Sequence, residues 1–179
     1  YIYYCYQKKY YRVPTFGKIF KIIDFDRAIY KFNGITYCSD SFSSDGDAAT
    51  QYNIPPFFNE NKPRVEPNYS FDLTRLASAM FDFVVDDNFE QLESLKAIPI
   101  YETIIDWCSD DKGRNILYKK NGDERYPDFK LYKMIARTVH NHIPSKVIEN
   151  EYFSKYAVYK KKISKNKLVM NIDKYPDYS

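Results

Sequence analysis

Two carboxylates separated by one aromatic residue, Asp24-Phe25-Asp26, are the part of this sequence best placed to do chemistry. They follow Phe20-Lys21-Ile22-Ile23, an apolar run interrupted by one lysine that reads as a buried strand over Ile19–Phe25. A carboxylate at the end of such a strand sits where the chain leaves a sheet and a ligand can approach. Were Asp26 to turn inward beside Asp24, a metal ion could compensate their repulsion; the favoured reading turns it outward, where its charge is solvated. The plain structural alternative makes Asp24 a strand-end turn, Phe25 a core side chain, and Asp26 with Arg27 a surface pair.

Other reactive residue types form no such pattern. His140 and His142 stand two apart, a spacing that diverges on a helix, and no neighbouring cysteine completes a zinc site. Cys5, Cys38 and Cys108 are odd in number and widely spaced, which suits buried thiols in a reducing compartment better than a disulfide framework. The polar stretch from Ser39 to Asp47 lacks the spacing of an EF-hand loop. Six lysines and no acid lie between Lys155 and Lys167, including Lys160, Lys161 and Lys162. That cluster could touch an acidic surface or a nucleic-acid backbone without sequence preference, but it reads first as a solvated helical face followed by a polar tail.

The elements that must carry these residues divide the chain by pattern. Residues 1–38 read as β, with strands at Tyr1–Tyr6 and Tyr10–Val13 around a Gln7-Lys8-Lys9 turn, and a hairpin closed by Asn33-Gly34. Four prolines between residues 39 and 70 exclude a continuous element there. Beyond it the spacing turns helical. Leu73, Leu76, Ala77, Met80, Phe81 and Val84 share one face of a first helix that Ser70 or Asp72 could cap. Pro99 opens a second, burying Ile104, Ile105 and Cys108; Phe129, Tyr132, Ile135, Ala136 and Val139 face inward on a third. Pro144 starts a fourth with a stripe of Val147, Ile148, Tyr152 and Tyr156, while Asp110–Gly113 and Lys120–Asp123 mark exposed turns.

Composition sets the outer limits. A chain of 179 residues suffices for one substantial domain, and 19 Tyr and 13 Phe require rings in many core positions. A net charge of +3 identifies no partner, and no run of 18 apolar residues offers a membrane helix. No basic-then-apolar leader opens the chain, which starts inside what reads as a strand, as an excerpt of something longer would. The expected setting is intracellular, in host cytoplasm or a virion, without membrane insertion.

Taken together, Phe20–Ala28 resembles the strand and DFG motif of protein kinases, with Asp26 in place of the usual glycine, and Tyr69-Ser70-Phe71-Asp72-Leu73-Thr74-Arg75-Leu76 resembles the opening of the long central helix of their C-lobes. Val13–Phe25 and Cys38-Ser39-Asp40-Ser41-Phe42 look most like the divergent kinase-like proteins of giant DNA viruses. The resemblance implies an α+β, mainly α C-lobe with a short N-terminal antiparallel β region. Within it, 1–38 would be the β region with the DFG-like segment, 39–70 an activation-segment-like loop, 71–157 a helical body and 158–179 a basic or polar tail. It also implies that Asp24 binds Mg2+ against ATP in an intact parent, that Phe25 packs behind it, and that Asp72 supports the catalytic-loop backbone, a role a simple helix cap competes with.

The sequence lacks a Gly-rich phosphate loop, a strand Lys paired with a helix Glu, and a catalytic-loop Asp followed by the second metal-binding Asn. No catalytic residue is therefore expected in this chain, nor tight binding of Mg2+ or ATP by it alone. The implied partners are an upstream kinase-like half, another protein chain, or viral structural proteins. The implied function is Ser/Thr phosphoryl transfer by the parent, or a pseudokinase or virion scaffold that binds proteins.

Overall fold

Alternating bulky residues at the start of the chain build a hairpin. In the computed structural model, which describes residues 1–25, 28–38, 53, 59–85 and 92–175, β1 (Ile2–Tyr6) pairs antiparallel with β2 (Lys9–Val13). Gln7 and Lys8 turn between them at φ 51° and 61°, a left-handed pair that ordinarily favours Asn and Gly. A distant side chain holds this turn. The Asp173 carboxylate accepts the N–H of Gln7 at 2.6 Å and that of Lys8 at 2.9 Å. The bond from Lys8, then that from Gln7, keeps the Asp173 carboxyl below the usual carboxylate range.

Asp173 is in position because the last part of the chain returns to the first. The short β5 (Ala157–Val158) runs antiparallel to β2, and β6 (Val169–Asn171) runs parallel to β1, giving the order β5-β2-β1-β6. The stretch read as a helical face and polar tail is thus a sheet-completing return. Lys160–Lys162 forms a single 3-10 turn between the two strands.

A separate hairpin, β3 (Ile29–Phe32) and β4 (Ile35–Cys38), turns at Asn33 and Gly34, both at positive φ, and stacks Tyr30 on Tyr37 with ring centroids 5.5 Å apart. Its end is anchored where buried Cys38 meets Val65 and Ala136.

The expected strand over Ile19–Phe25 does not form. Phe16 and Gly17, at φ 48° and 78°, turn the chain away from β2, whose free edge β5 has already taken, and β3 pairs only with β4. Among the described residues no neighbour receives the N–H groups of Ile19–Phe25. Phe16, Phe20, Ile22 and Ile23 are accordingly 90, 93, 74 and 78% exposed.

The core belongs to the helices. α1 (Phe71–Val85) packs against α3 (Pro99–Trp107) and α4 (Phe129–Thr138), with the one-turn α2 (Leu92–Leu95) between α1 and α3 in sequence. Phe81, Ala77 and Val85 of α1 close on Ile104, Ile105 and Cys108, on Ile116 from the following loop, and on Ile135 and Val139. The buried stripe of α1 is rotated from the one its large residues suggest. Thr74 and Ser78 are buried while Leu76 is exposed. Ser78 hides its hydroxyl by donating to the Thr74 carbonyl at 2.7 Å, and small side chains there suit close helix packing.

The fourth expected helix is broken in two. α5 (Pro144–Val147) ends after one turn, and the Asn150 side chain accepts the N–H of Tyr152 to cap α6 (Glu151–Ser154), so the stripe from Val147 to Tyr156 is not continuous. The result is a mixed α+β fold with more helix than strand. Among the described residues no helix is long and apolar enough to cross a membrane.

Candidate functional site

Asp24 lies in the irregular run between β2 and β3, exposed and at φ 64°. A non-glycine residue holds that left-handed conformation at a cost, and such costs concentrate at functional positions. Phe25 does not pack as a core ring; it is 62% exposed, because no sheet forms beneath it. Asp26 and Arg27 lie outside the described residues, as does most of the Pro-rich stretch. Of that stretch, buried Asn53 ties the Asn59–Lys62 turn through both ends of its side-chain amide.

Asp72 occupies the first turn of α1 and is exposed. The side-chain bonds just before the helix are made by its neighbours. Asn68 accepts the Ser70 N–H, and its amide donates to the carbonyls of Ile135, Ala136 and Val139 at the end of α4. The Ser70 hydroxyl in turn accepts the N–H of His142 at 3.1 Å. This stitch joins the start of α1 to the end of α4. It leaves the Asp72 carboxylate in a favourable place beside the helix N-terminus.

Lys160, Lys161 and Lys162 are exposed and stand over tyrosine rings, Lys160 over Tyr10 at 5.6 Å and the other two over Tyr159. Each such contact contributes little at the surface and leaves the charges open to an acidic partner.

A concavity of about 1420 Å³ has none of Asp24, Asp72, Lys160, Lys161 or Lys162 in its lining. It runs between α3, the loops from Ser109 to Arg125, and the α5–α6 pair. One wall is aromatic, Trp107 stacking on Phe153 at 6.3 Å and 9°, with Tyr152 edge-on to Phe153 at 5.1 Å. The opposite side is polar, and both of its arginines are engaged internally. Arg114 pairs with Asp110 at 2.6 Å, and Arg125 donates to the carbonyls of Asn115 and Tyr118.

His142 lies buried on the cleft floor. Its Nε2 donates to the Ser109 carbonyl at 3.0 Å, which can only accept; its Nδ1 lies 3.7 Å from Asp106, beyond hydrogen-bond distance. The thiol nearest in sequence to these groups is inert. Burial pushes Cys108 up to about 12, against a lowering hydrogen bond from Ser78. Among the described residues no three His, Cys, Asp or Glu side chains gather as a metal site.

These groups could not have been assembled from spacing. Trp107, His142 and Phe153 are brought together only because the chain bends back at Pro144 and Asn150. The nearest sequence signal was the proline.

No family model matches the chain, and no curated protein or solved structure does so either. The cleft sets an aromatic wall opposite a polar one held by Arg114 and Arg125, with buried His142 among its lining. The Asp24 segment has a different character: an exposed apolar run whose N–H groups from Ile19 to Phe25 have no acceptor among the described residues.

Proposed function

We propose that this chain is a kinase-like C-lobe that serves as a protein-interaction module, docking a partner through the run from Phe16 to Phe25. The observation that carries the reading is the exposure of that run. A monomer rarely leaves contiguous apolar side chains in water unless something covers them. The N–H groups of Ile19–Phe25, which have no acceptor among the described residues, add the capacity to accept a partner strand. The kinase-like ancestry rests on the Asp24 and Asp72 motifs, and α1 as the helix around which the core assembles agrees with it.

The backbone amides of Ile19–Phe25 should exchange with solvent deuterium at rates close to those of an unstructured peptide when the chain is dilute. Strong protection in the dilute monomer would mean that the segment is already packed internally, and the docking reading would fall.

The left-handed Asp24 favours a second role for the same segment in a parent that supplies the lid and base: Mg2+-ATP positioning for Ser/Thr phosphoryl transfer. For this chain alone, incubation with Mg2+, labelled ATP and mixed protein substrates should give no turnover above background. Turnover that disappears in Asp24→Asn would overturn the non-catalytic reading.

A further inference from the structure

We propose that the partner seated on this run is a second copy of the chain, joined by antiparallel pairing of residues 18–24 about a two-fold axis at Lys21. The inference rests on the reading of the run as a docking site, and it names the occupant. In a symmetric antiparallel pair the axis stands perpendicular to the sheet, so each residue must lie opposite one of the same facing. Centred on Lys21, that register sets Lys18 against Asp24, Ile19 against Ile23 and Phe20 against Ile22, each twice.

One face then carries Phe20 and Ile22 flanked at both ends by a Lys18–Asp24 ion pair. The other carries Ile19 and Ile23 around Lys21. Centring on Phe20, Ile22 or Ile23 instead places a charge opposite an apolar residue, so the Lys21 register is the best matched, its one mismatch being Lys21 against its own copy on the axis.

Three further features suit this occupant. The N–H groups of Ile19–Phe25 have no acceptor among the described residues, and pairing supplies one. Three phenylalanines and three isoleucines, Phe16, Ile19, Phe20, Ile22, Ile23 and Phe25, are each more than 60% exposed. Pairing the strands brings the side chains of Ile19, Phe20, Ile22 and Ile23 beside those of the second copy and covers part of this apolar surface. Asp24 would pass from its left-handed backbone at φ 64° to the strand region and release its local strain.

Sedimentation velocity and light scattering on the full 179-residue chain should show a discrete dimer of twice the 21.4 kDa monomer as concentration rises. Lys18→Asp and Asp24→Lys each put like charges opposite one another twice, and each should weaken self-association about tenfold or more. The double variant Lys18→Asp/Asp24→Lys restores both ion pairs and should restore dimerisation. Removing the lysine on the axis with Lys21→Thr should tighten the dimer.

All these positions are exposed, so circular dichroism and thermal melting of the dilute monomer should be unchanged by them. Self-association indifferent to the charge exchange would overturn the proposal, since it would be unspecific apolar clustering. A chain that stays monomeric at every concentration while Ile19–Phe25 exchange freely would overturn the second copy as occupant and leave the docking reading intact. Protection of those amides in the monomer would remove the docking reading itself.

Discussion

Phe81→Ala should destabilise the protein by about 3–5 kcal/mol, the largest loss expected from any single truncation here. Phe81 is fully buried at the point where α1, α3, α4 and the loop carrying Ile116 converge, and its ring lies 5.9 Å from that of Tyr118. Removing it forfeits the transfer energy of the ring and leaves a cavity walled by Ile104, Ile116 and Ile135. Three separate elements would have to move to collapse that cavity. Against a total stability on the order of 5–15 kcal/mol, such a loss is severe, and the melting temperature should fall by about 10 °C.

Phe83, two residues along the same helix and 89% exposed, is the control. Its replacement by Ala should change stability by no more than about 0.5 kcal/mol. Chemical denaturation of both variants separates the two cases. Equal effects would mean that α1 presents a different face to the core.

That contrast also shows where the sequence was readable. Hairpins were legible because Asn33-Gly34 is a local instruction, and α3 was legible because Pro99 and the spacing of Ile104, Ile105 and Cys108 agree with one another. The inward face of α1 was legible only in part. Periodicity ranks residues by size and polarity, whereas Thr74 and Ser78 are buried by virtue of their smallness and, for Ser78, a hydroxyl that bonds within its own helix.

Non-local features were not legible at all. Whether Ile19–Phe25 becomes a strand depends on a neighbouring edge, and that edge was claimed by β5, which comes from the opposite end of the chain. The left-handed turn at Gln7-Lys8 likewise depends on Asp173, some 165 residues away. The cleft lies beside the break between α5 and α6, where Asn150 caps the second turn, a break that a stripe of Val147, Ile148, Tyr152 and Tyr156 conceals.

Asp110 was read as part of an exposed turn, and its burial gives the second large expected effect. Its Oδ1 accepts the N–H groups of Lys112 and Arg114 at 3.0 and 2.9 Å, while Oδ2 takes the Arg114 Nε at 2.8 Å and a second guanidinium nitrogen at 2.6 Å. The turn it organises brings Ile116 back against Cys108, whose carbonyl accepts the Ile116 N–H at 2.8 Å, and so delivers Ile116 to the core. Next to it, Asp111 bridges to the end of α4 through the N–H and ring of His140.

Burial alone would raise the Asp110 carboxyl, but the Arg114 side chain and the two backbone donors outweigh it and hold the group below the ordinary carboxylate range. Asp110→Asn keeps the shape and one acceptor oxygen but turns an amide donor toward the guanidinium. It should cost about 2 kcal/mol near neutral pH, the usual loss for charge-assisted hydrogen bonds. The sign with pH follows from the lowered value. The stabilisation is present above the unfolded carboxyl's pKa, near about 3.9, and is lost as pH falls through the lower folded value, because the unfolded chain takes up the proton first. The difference between wild type and Asp110→Asn should therefore shrink as the solution is acidified below about pH 4. Urea denaturation of both proteins across that range measures it directly, and a gap that stayed constant would mean that Asp110 does not titrate with folding.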